Sequence, residues 1–512
     1  MAARPKDQGQ ALPQASARPQ SAVEHLPHRR LITAACMMAI FMAAVEGTIV
    51  ATAMPTIVAE LGGFELFSWV FTAYFLAQAV TTPIYGRLAD LFGRKRVFFA
   101  GSCVFLIGST ACGLTASMLP LITFRTLQGL GAGAIQSIAT TIIGDIYTPA
   151  ERARLQGWLS SVWGFAAVIG PVLGGFIVEH LHWAYVFWIN LPIGIAAIAI
   201  LALFLHERLT PRRHHIDYAG SILLMVGVGA VMLVVVQADA LAPIIITLLL
   251  AAGTLALILL VVNERRSREP IVPFALLGHR IIAAGNLGGL AIGALLTCVV
   301  GFLPTYVQGA MGEPPTTTGI VIAVLSVAWA LASIVAGRLM VKTSYRLTGA
   351  LGALALIGGC ALLIALDQST SLAFVNSGGT LIGIGMGFCN TTFLVAVQTS
   401  VGWSERGAAT SSVLFMRTIG QALGASIAGA ILNFNLARTV PSAGETLNQL
   451  LEPGRRASLD PQTIDRLSHA IASALHQVYV IAGVLGALTL ALVALLPAGA
   501  SPTRSEKPSG PS

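Results

Sequence analysis

The sequence predicts an all-α polytopic membrane protein, on the strength of its composition, its apolar segments and its basic residues. Of the 512 residues, 55% are hydrophobic and 10% are charged, whereas an average soluble domain carries about 25% charged residues. The mean hydropathy is +0.80. A helix needs about 20 apolar residues to cross a bilayer. About fourteen segments qualify, namely residues 31–55, 68–86, 97–117, 120–145, 156–178, 185–205, 217–237, 243–263, 281–308, 317–341, 347–366, 372–399, 408–432 and 474–497.

An even number of spans places both ends of the chain on one side of the membrane, and the basic residues indicate which side. If the N-terminus is cytoplasmic, the short inner connections carry most of the arginine and lysine residues. The outer connections then carry almost none before Arg438. Cytoplasmic loops of membrane proteins show this excess, so we expect a multi-pass protein with both termini in the cytoplasm.

The spans divide into two halves of six with an extra pair between them. The triplet Gly86-Arg87-Leu88 after the second span returns as Gly337-Arg338-Leu339 after the tenth, and transporters are known to contain parallel repeats. The predicted segments are a disordered cytoplasmic tail at 1–28, a six-helix bundle at 29–208, two inserted helices at 209–268, a second six-helix bundle at 269–498 and a cytoplasmic tail at 499–512. A long outer loop is predicted at 433–473. Its later part has helical apolar spacing and is either a surface helix or a plain connector.

One acidic residue interrupts the first predicted span. Glu46 lies beyond the middle of residues 31–55, and no other Asp or Glu lies near the middle of a span. A charge at the centre of a bilayer costs at least about 2.5 kcal/mol, so an apolar residue would be cheaper to insert. We interpret Glu46 as a functional residue, with a neutralised or paired acid that only fixes the packing as the alternative.

The sequence also disfavours several classes of function. The formal charge of +8 is dispersed in short clusters at helix ends, so no nucleic-acid-binding face is predicted. The six cysteines lie in apolar runs without metal-ligand spacing, and there is no Gly-Lys-Ser/Thr loop to hold phosphates. The histidines lie in tails and loops, which argues against a polytopic membrane enzyme. We expect no metal, no cofactor and no ATP hydrolysis.

Four stretches combine glycines with polar residues in or beside the spans. The connection after the second span reads Gly86-Arg87-Leu88-Ala89-Asp90-Leu91-Phe92-Gly93-Arg94-Lys95-Arg96, and its charges can latch one half of a transporter to the other. The other stretches are Arg125-Thr126-Leu127-Gln128-Gly129-Leu130-Gly131-Ala132-Gly133, Gly164 followed by Gly170-Pro171-Val172-Leu173-Gly174-Gly175, and Arg417-Thr418-Ile419-Gly420-Gln421. Glycines allow helices to approach closely, and Pro171 removes a backbone hydrogen bond.

These stretches, taken in order along nearly the whole chain, resemble motifs of the major facilitator superfamily. The first matches the family's G-x-L-a-D-r-x-G-r-k signature except at Leu91, where a polar or basic residue is usual. The first span resembles the l-D-x-T-I-V-n-v-A-l-P motif of the fourteen-helix drug/proton antiporter branch, which includes multidrug and quaternary-ammonium exporters. Two residues depart from that motif. Glu46 stands where Asp is usual and keeps an ionisable group, whereas Ala51 replaces a usual Asn and alters the pocket.

The resemblance implies two six-helix bundles plus two inserted helices, in a transporter of the cell (inner) membrane driven by the proton gradient. It implies that Glu46 carries protons or recognises a cation. It also assigns an inner gating motif to Gly86, Arg87, Asp90, Gly93 and Arg94, and an antiporter motif to Gly164, Gly170, Pro171, Gly174 and Gly175.

Arg125 has its own physical reason to matter. A guanidinium does not lose its proton in proteins, so inside a span it requires a partner or a wet cavity. Glu46 is the candidate partner if the first and fourth spans adjoin. Burial favours the neutral carboxyl and a nearby arginine favours the carboxylate, so movement can bind or release a proton. The alternative is a structural or snorkelling arginine. Other polar residues predicted for the cavity are Thr48, Gln78, Gln128, Gln136, Asn286, Asn390, Gln398, Arg417 and Gln421.

We therefore expect a proton-coupled exporter of small amphipathic or cationic compounds, of the drug efflux type, that works by alternating access. Its partners would be its substrate, protons and the lipid bilayer, and it would act as a monomer. Two alternatives stay open. One is an exporter of an endogenous metabolite, lipid or siderophore, and the other, more remote, is a polytopic membrane enzyme.

Overall fold

The computed structural model describes residues 28–147, 149–207, 217–237, 241–266, 278–367, 370–402, 406–439, 444–451 and 453–498. The predicted tails at 1–28 and 499–512 lie outside the described residues, except for His28. The side chains of Arg87 and Asp90, two members of the predicted gating motif, also lie outside the description.

Fourteen long helices make up most of the described chain. In order they are α1 (Arg29–Leu61), α2 (Phe67–Phe92), α3 (Arg94–Cys112), α4 (Met118–Ile146), α5 (Pro149–His180), α6 (Asn190–Phe204), α7 (Tyr218–Gln237), α8 (Pro243–Arg266), α9 (Arg280–Val300), α10 (Pro315–Lys342), α11 (Tyr345–Ile364), α12 (Leu372–Thr399), α13 (Arg406–Thr439) and α14 (Pro461–Val493). A short helix, Tyr185–Trp188, precedes α6, and α9 is extended by a helical turn at Leu303–Thr305 and a π-helical turn at Tyr306–Ala310.

In the part of the chain that the structure describes, twelve candidate membrane spans are long and apolar enough to cross a bilayer by length and composition. The other two long helices, α2 and α4, carry more polar side chains, including Gln78, Arg125 and Gln128. Both pack inside the bundle, where α4 contacts α1, α2 and α3. Polar residues are tolerated there because they face other helices rather than lipid.

The helices form two packed sets and an outlying pair. α1 to α6 pack mainly on one another, as do α9 to α14. The two sets meet where α2 packs on α13 and α5 packs on α10. α7 and α8 pack together, and α7 also contacts α2 and α13. The predicted all-α fold of two six-helix bundles with an inserted pair is confirmed.

Close helix crossings depend on glycine at a few positions. A Cβ added to Gly131 of α4 would lie 2.3 Å from the backbone nitrogen of Phe105 in α3. A Cβ added to Gly293 of α9 would lie 2.1 Å from the carbonyl oxygen of Arg417 in α13. Real Cβ atoms do not approach other heavy atoms this closely, so α3–α4 and α9–α13 pack backbone to backbone as small residues permit in membrane helices.

The two six-helix sets are tied together at the end of the bundle where α1 terminates, which we call the Leu61 side. The hydroxyls of Thr72 in α2 and Ser426 in α13 are 3.1 Å apart. The Gln308 side-chain amide donates to the carbonyl of Thr52 at 3.2 Å. These hydrogen bonds join the two sets on the Leu61 side.

The connection between α13 and α14 is shorter than the predicted loop at 433–473. α13 continues to Thr439, and α14 begins at Pro461. Ile471, within the apolar spacing of this segment, is 0% exposed. The spacing therefore belongs to the first turns of α14, which pack on the π-helical turn after α9, rather than to a helix on the membrane surface or a plain connector. A short helix, Gly444–Leu451, packs against α1.

Candidate functional site

A network of buried polar side chains surrounds Glu46 in α1. The Glu46 side chain is 0% exposed. Arg125 of α4 donates a hydrogen bond from Nη1 to one carboxylate oxygen of Glu46. Asn190, the first residue of α6, donates from Nδ2 to the other oxygen at 2.7 Å. Two helices packed against α1 thus supply donors to both oxygens of its only mid-span acid.

Arg125 makes more contacts than its ion pair. Its Nη1 also donates to Oε1 of Gln128 at 2.8 Å, and its Nε donates to the carbonyl of Val70 at 3.2 Å. The guanidinium carbon lies 4.1 Å from the centre of the Tyr74 ring, which adds a cation–π attraction. Arg125 is 0% exposed. Its environment therefore replaces most of the water that a free guanidinium would bind.

Ser109 of α3 joins the donors into one network. Its hydroxyl accepts from Asn190 Nδ2 at 3.0 Å and from Gln128 Nε2 at 3.1 Å, and it donates to the carbonyl of Phe187 at 2.8 Å. The network thus ties α1, α3, α4 and α6 together. Hydrogen bonds in a buried network of this kind are strengthened by the low local dielectric.

Two polar atoms of this cluster have no hydrogen-bond partner among the described residues. They are Nη2 of Arg125 and the hydroxyl of Tyr74. A buried polar group without a partner costs about 1–3 kcal/mol. The cluster beside the Glu46 carboxylate therefore has unused hydrogen-bonding capacity.

The sequence identified Glu46, Arg125 and Gln128, and the structure brings these three together. It missed Asn190 and Ser109. Asn190 was detectable in principle, because an amide inside an otherwise apolar stretch is unusual. Ser109 carried no signal, since serine is common in membrane helices and only its position against Asn190 gives it a role.

Thr48, another predicted cavity residue, does not join this network. It follows Glu46 by two positions and therefore points to nearly the opposite side of α1. Its hydroxyl donates to the carbonyl of Val45 at 3.1 Å. A Cβ added to Gly170 of α5 would lie 2.3 Å from that hydroxyl oxygen. Thr48 thus faces α5, whereas Glu46 faces α4 and α6.

The glycines of the predicted antiporter motif face two different helices. A Cβ on Gly174 would lie 2.8 Å from the carbonyl of Ile49 in α1, and one on Gly175 would lie 2.5 Å from the carbonyl of Pro315 in α10. The carbonyl of Pro171 lies 2.4 Å from the Cβ position of Gly319. Gly164 is less constrained, because its nearest neighbour is Ala330 at 3.6 Å. This part of α5 packs tightly between the two six-helix sets.

The predicted gating motif is described only in part. Gly93 separates α2 from α3 with a φ of +93°, a conformation that favours glycine. The Arg94 side chain forms an ion pair with Asp145 of α4 at 2.8 Å. Glu207 accepts hydrogen bonds from the backbone nitrogens of Arg94 and Lys95 at 2.9 and 3.1 Å, so a carboxylate caps the first turn of α3. A Cβ on Gly86 would meet nothing within 4 Å.

The remaining predicted cavity residues lie apart from Glu46. Gln78 donates to Gln136 at 3.2 Å, which links α2 to α4. Gln398 of α12 donates to the hydroxyl of Thr410 in α13 at 3.1 Å. Asn286 is buried and donates to the carbonyl of Ile282 in its own helix. Asn390, Arg417 and Gln421 are half-buried. Among the described residues, no group of three metal-ligating side chains is present.

Comparison with protein families and known proteins places this architecture among transporters. The model of the Major Facilitator Superfamily matches residues 36–425. The chain is 36% identical over 408 residues to the multidrug transporter protein MdtP of Bacillus subtilis (strain 168), covering 79% of this chain and 75% of that protein. It is 31% identical over 486 residues to multidrug resistance protein 3 of the same organism, covering 91% and 94%. It is 33% identical over 416 residues to the acurin A biosynthesis cluster MFS-type transporter of Aspergillus aculeatus, covering 79% and 75%.

Solved structures show the same fold at low identity. A bacterial homolog of the human lysosomal transporter Spinster, in an inward-facing and occupied conformation, superposes with a TM-score of 0.64 at 18% identity, covering 92% of this chain and 97% of that one. The D-xylose-proton symporter superposes with a TM-score of 0.61 at 12% identity, covering 92% and 99%. At these identities the likeness extends to the fold alone.

Proposed function

The chain belongs to the Major Facilitator Superfamily, and we propose that it is a proton-coupled exporter of small amphipathic compounds that works by alternating access. Its homologues support a transport and efflux role. The observation that carries the coupling mechanism is the sealed network of Glu46, Arg125 and Asn190. We further propose that the protein acts as a monomer, without a cofactor, and uses the proton gradient as its energy source.

In this mechanism the proton binds to the Glu46 carboxylate. A deprotonated Glu46 holds Arg125 and thereby holds α1 to α4. Protonation cancels the negative charge, so the ion pair weakens and Arg125 keeps only its other acceptors, such as Gln128. Because α1 also packs on α5, and α5 packs on α10 of the other set, a shift of α1 is transmitted to the surface between the two sets. Release of the proton on the opposite side restores the pair.

The closed Leu61 side fits one stage of such a cycle. Hydrogen bonds join the two sets near Thr52 and Thr72, so transport requires these contacts to break while others form at the opposite end. The excess of basic residues in the connections at the opposite end supports a cytoplasmic assignment for that end, by the positive-inside rule. On this assignment both termini are cytoplasmic in a cell (inner) membrane, and the present state is open toward the cytoplasm.

A second candidate is an exporter of an endogenous metabolite. The observation that favours it is the 33% identity to a transporter of the acurin A biosynthesis cluster. Both candidates share the coupling site and differ only in what fills the cavity. A biosynthetic gene cluster next to the gene would favour the metabolite, whereas a drug-responsive repressor gene would favour a drug exporter.

Proteoliposomes with an imposed pH gradient test the coupling. The native protein should move at least one of two fluorescent amphiphiles, ethidium or 1-pyrenesulfonate, and should dissipate the gradient as it does so. Glu46→Gln keeps the size of the side chain and some hydrogen bonds but cannot ionise, so its transport should fall to the level of empty vesicles. Glu60→Gln is the matched control, because Glu60 lies on the same helix but is 51% exposed; it should transport as the native protein does.

Three outcomes would contradict the proposal. The first is native transport that is equally fast with and without the gradient. The second is full transport by Glu46→Gln. The third is failure of the native protein to move either compound, which would leave the metabolite exporter as the better candidate for the transported species.

A further inference from the structure

A second arginine lies inside the bundle, and its surroundings differ from those of Arg125. Arg417 belongs to α13, and its backbone packs against Gly289 and Gly293 in the middle of α9. It is half-buried, and its Nε is buried without a hydrogen-bond partner among the described residues. Among those residues it also forms no ion pair. A permanent charge at this depth is costly, so something outside the described protein atoms has to solvate it.

In one half of α13, the face that carries Arg417 consists mainly of polar residues. Thr410, Leu414, Arg417 and Gln421 follow one another at spacings of four, three and four residues, so they share one face. All four are half-buried. Toward the Leu61 side the same face continues as Ala425, Ala428 and Leu432, which are 0%, 0% and 1% exposed. One continuous face is thus fully buried toward the Leu61 side and only half-buried around Arg417.

This face points into the space between the two sets rather than to lipid. On one side of it, Val413 and Gly420 pack on α9, and on the other side, Gly429 packs on Ser68 of α2. The hydroxyl of Thr410 accepts from Gln398 of α12, a helix of the same set. The side of α13 opposite this face also lies between its contacts with α9 and α2. It carries apolar side chains such as Phe434, which is 44% exposed. Exposed apolar residues are expected on the lipid side, and polar ones on the cavity side.

The acid that would attract a cationic substrate does not reach this space. Glu46 is 0% exposed, and both of its oxygens accept hydrogen bonds from protein donors. It is also the only acid near the middle of a span. Among the described residues near the middle of the spans, the charged side chain that is not fully buried is therefore Arg417, and its charge is positive.

We propose that Arg417 recognises the substrate, and that the substrate is an amphipathic organic anion: an apolar body with a carboxylate, sulfonate or phosphate group. The planar guanidinium offers paired donors that match these groups, Gln421 and Thr410 supply further polar contacts on the same face, and the apolar walls of the spans receive the body. This inference rests on the proposed function, since it names the substrate class of the proposed exporter. It departs from the cationic substrates that the family resemblance implies.

Binding at equilibrium tests the inference without any gradient. The full-length protein is placed in lipid nanodiscs and titrated with 1-pyrenesulfonate and with (1-pyrenylmethyl)trimethylammonium, which share one aromatic core and carry opposite charges. Energy transfer from the protein's tryptophans to pyrene reports binding, with empty nanodiscs subtracted. The native protein should bind the sulfonate at least about tenfold more tightly than the ammonium compound, as expected for one charge-assisted contact in a partly dry site.

Three variants assign the effect to Arg417. Arg417→Gln should weaken sulfonate binding at least about tenfold and leave ammonium binding unchanged or stronger, which also shows that the variant is folded. Arg417→Lys keeps the charge but loses the paired donors of the guanidinium, so its affinity for the sulfonate should lie between those of the native protein and Arg417→Gln. Arg438→Gln removes the same charge from an exposed position on the same helix and should bind both probes as the native protein does.

The inference is overturned if the ammonium compound binds native protein as tightly as the sulfonate, if Arg417→Gln binds the sulfonate within about twofold of native, or if native protein binds neither probe. Proton coupling fails separately. If the sulfonate binds through Arg417 but is not transported in the pH-gradient experiment, the binding site is retained and proton coupling is rejected. If ethidium is transported by the pH gradient but the sulfonate does not bind, proton coupling is retained and the binding site is rejected.

Discussion

Arg125 and Arg417 are both arginines inside a membrane bundle, and they have opposite surroundings. Arg125 is 0% exposed and donates to Glu46, to Gln128 and to a backbone carbonyl. Arg417 is half-buried, and its Nε has no partner among the described residues. The Arg125 side chain meets an acid on α1, whereas the backbone of Arg417 packs on two glycines of α9 and its side chain has no acidic partner among the described residues.

The comparison shows that a buried charge and a substrate-binding charge have different requirements. A charge that serves proton coupling has to be paired with a group of the protein. Its ion pair then forms or breaks as that group loses or gains a proton, whether or not substrate is bound. A charge that serves recognition has to stay unpaired until the substrate arrives. Glycines next to Arg417 allow α9 and α13 to pack closely without offering a competing side chain.

The largest expected effect comes from locking the Leu61 side. Thr72 and Ser426 join α2 to α13 there, with their hydroxyls 3.1 Å apart. Oxidation of the Thr72→Cys/Ser426→Cys double variant should form a disulfide and abolish transport, because the passage cannot open on that side. Sulfonate binding should persist, since Arg417 stays open and Arg125 stays sealed in this state. Transport and binding are measured before and after oxidation.

The two single-cysteine variants under the same oxidation serve as controls for that experiment, and a reducing agent should restore transport in the double variant. A cross-linked protein that still transports would show that the Leu61 side does not open in the cycle. Loss of sulfonate binding on cross-linking would place the recognition site on the side that has been closed.

The next largest effect concerns the stability of the sealed pair. Arg125→Met leaves the Glu46 carboxylate buried without its main partner, and breaking a buried ion pair in this way costs about 3–5 kcal/mol. In the Glu46→Leu/Arg125→Met double variant neither charge remains, so most of the stability should return while pH-driven transport stays absent. Thermal unfolding of the detergent-solubilised protein measures the stability. A double variant as unstable as the single one would mean that packing around Arg125, rather than charge pairing, holds α1 to α4.

The smallest effect on stability is expected at Arg417. Arg417→Met removes a charge without a protein partner and keeps a long unbranched side chain, so the free energy of unfolding should change by less than about 1 kcal/mol. The same unfolding measurement checks this value beside Arg125→Met. A loss as large as that of Arg125→Met would show that Arg417 is also a structural residue, and the contrast between the two arginines would then disappear.

The fold was largely predictable because a bilayer imposes a simple length rule. The predicted spans correspond to α1 to α14, and the family expected from the motifs is confirmed by the family match. The error lay at 433–473, where helical apolar spacing was assigned to a loop. Hydropathy averages treated the first turns of α14 as too polar to belong to a span, although Ile471 and its neighbours are buried against the turn that follows α9.

The sequence singled out most clearly those site residues that carry a charge, because a charged side chain inside a span has a high free-energy cost of insertion. Glu46 and Arg125 stood out because ionised groups are expensive in an apolar helix, and their pairing requires only that α1 and α4 adjoin, as they do. Asn190 and Ser109 are neutral and small, so their sequence positions carry little cost and little signal. Their functional roles, like those of all the predicted site residues, stay predictions to be tested by the variants above.

The sequence alone determined the membrane-protein class, the spans and the presence of two arginines inside them. Each of these depends on the free energy of moving one segment from water into lipid, and that free energy can be read from the segment alone. Which arginine is paired depends on contacts between helices far apart in sequence, such as α1 with α4 and α9 with α13. These contacts arise from packing in three dimensions. Glutamate on the facing helix neutralises the charge of Arg125, whereas glycine on the facing helix offers Arg417 no acidic side chain. Tertiary structure therefore separates the charge that we propose for coupling from the charge that we propose for recognition, although the two residues are chemically the same.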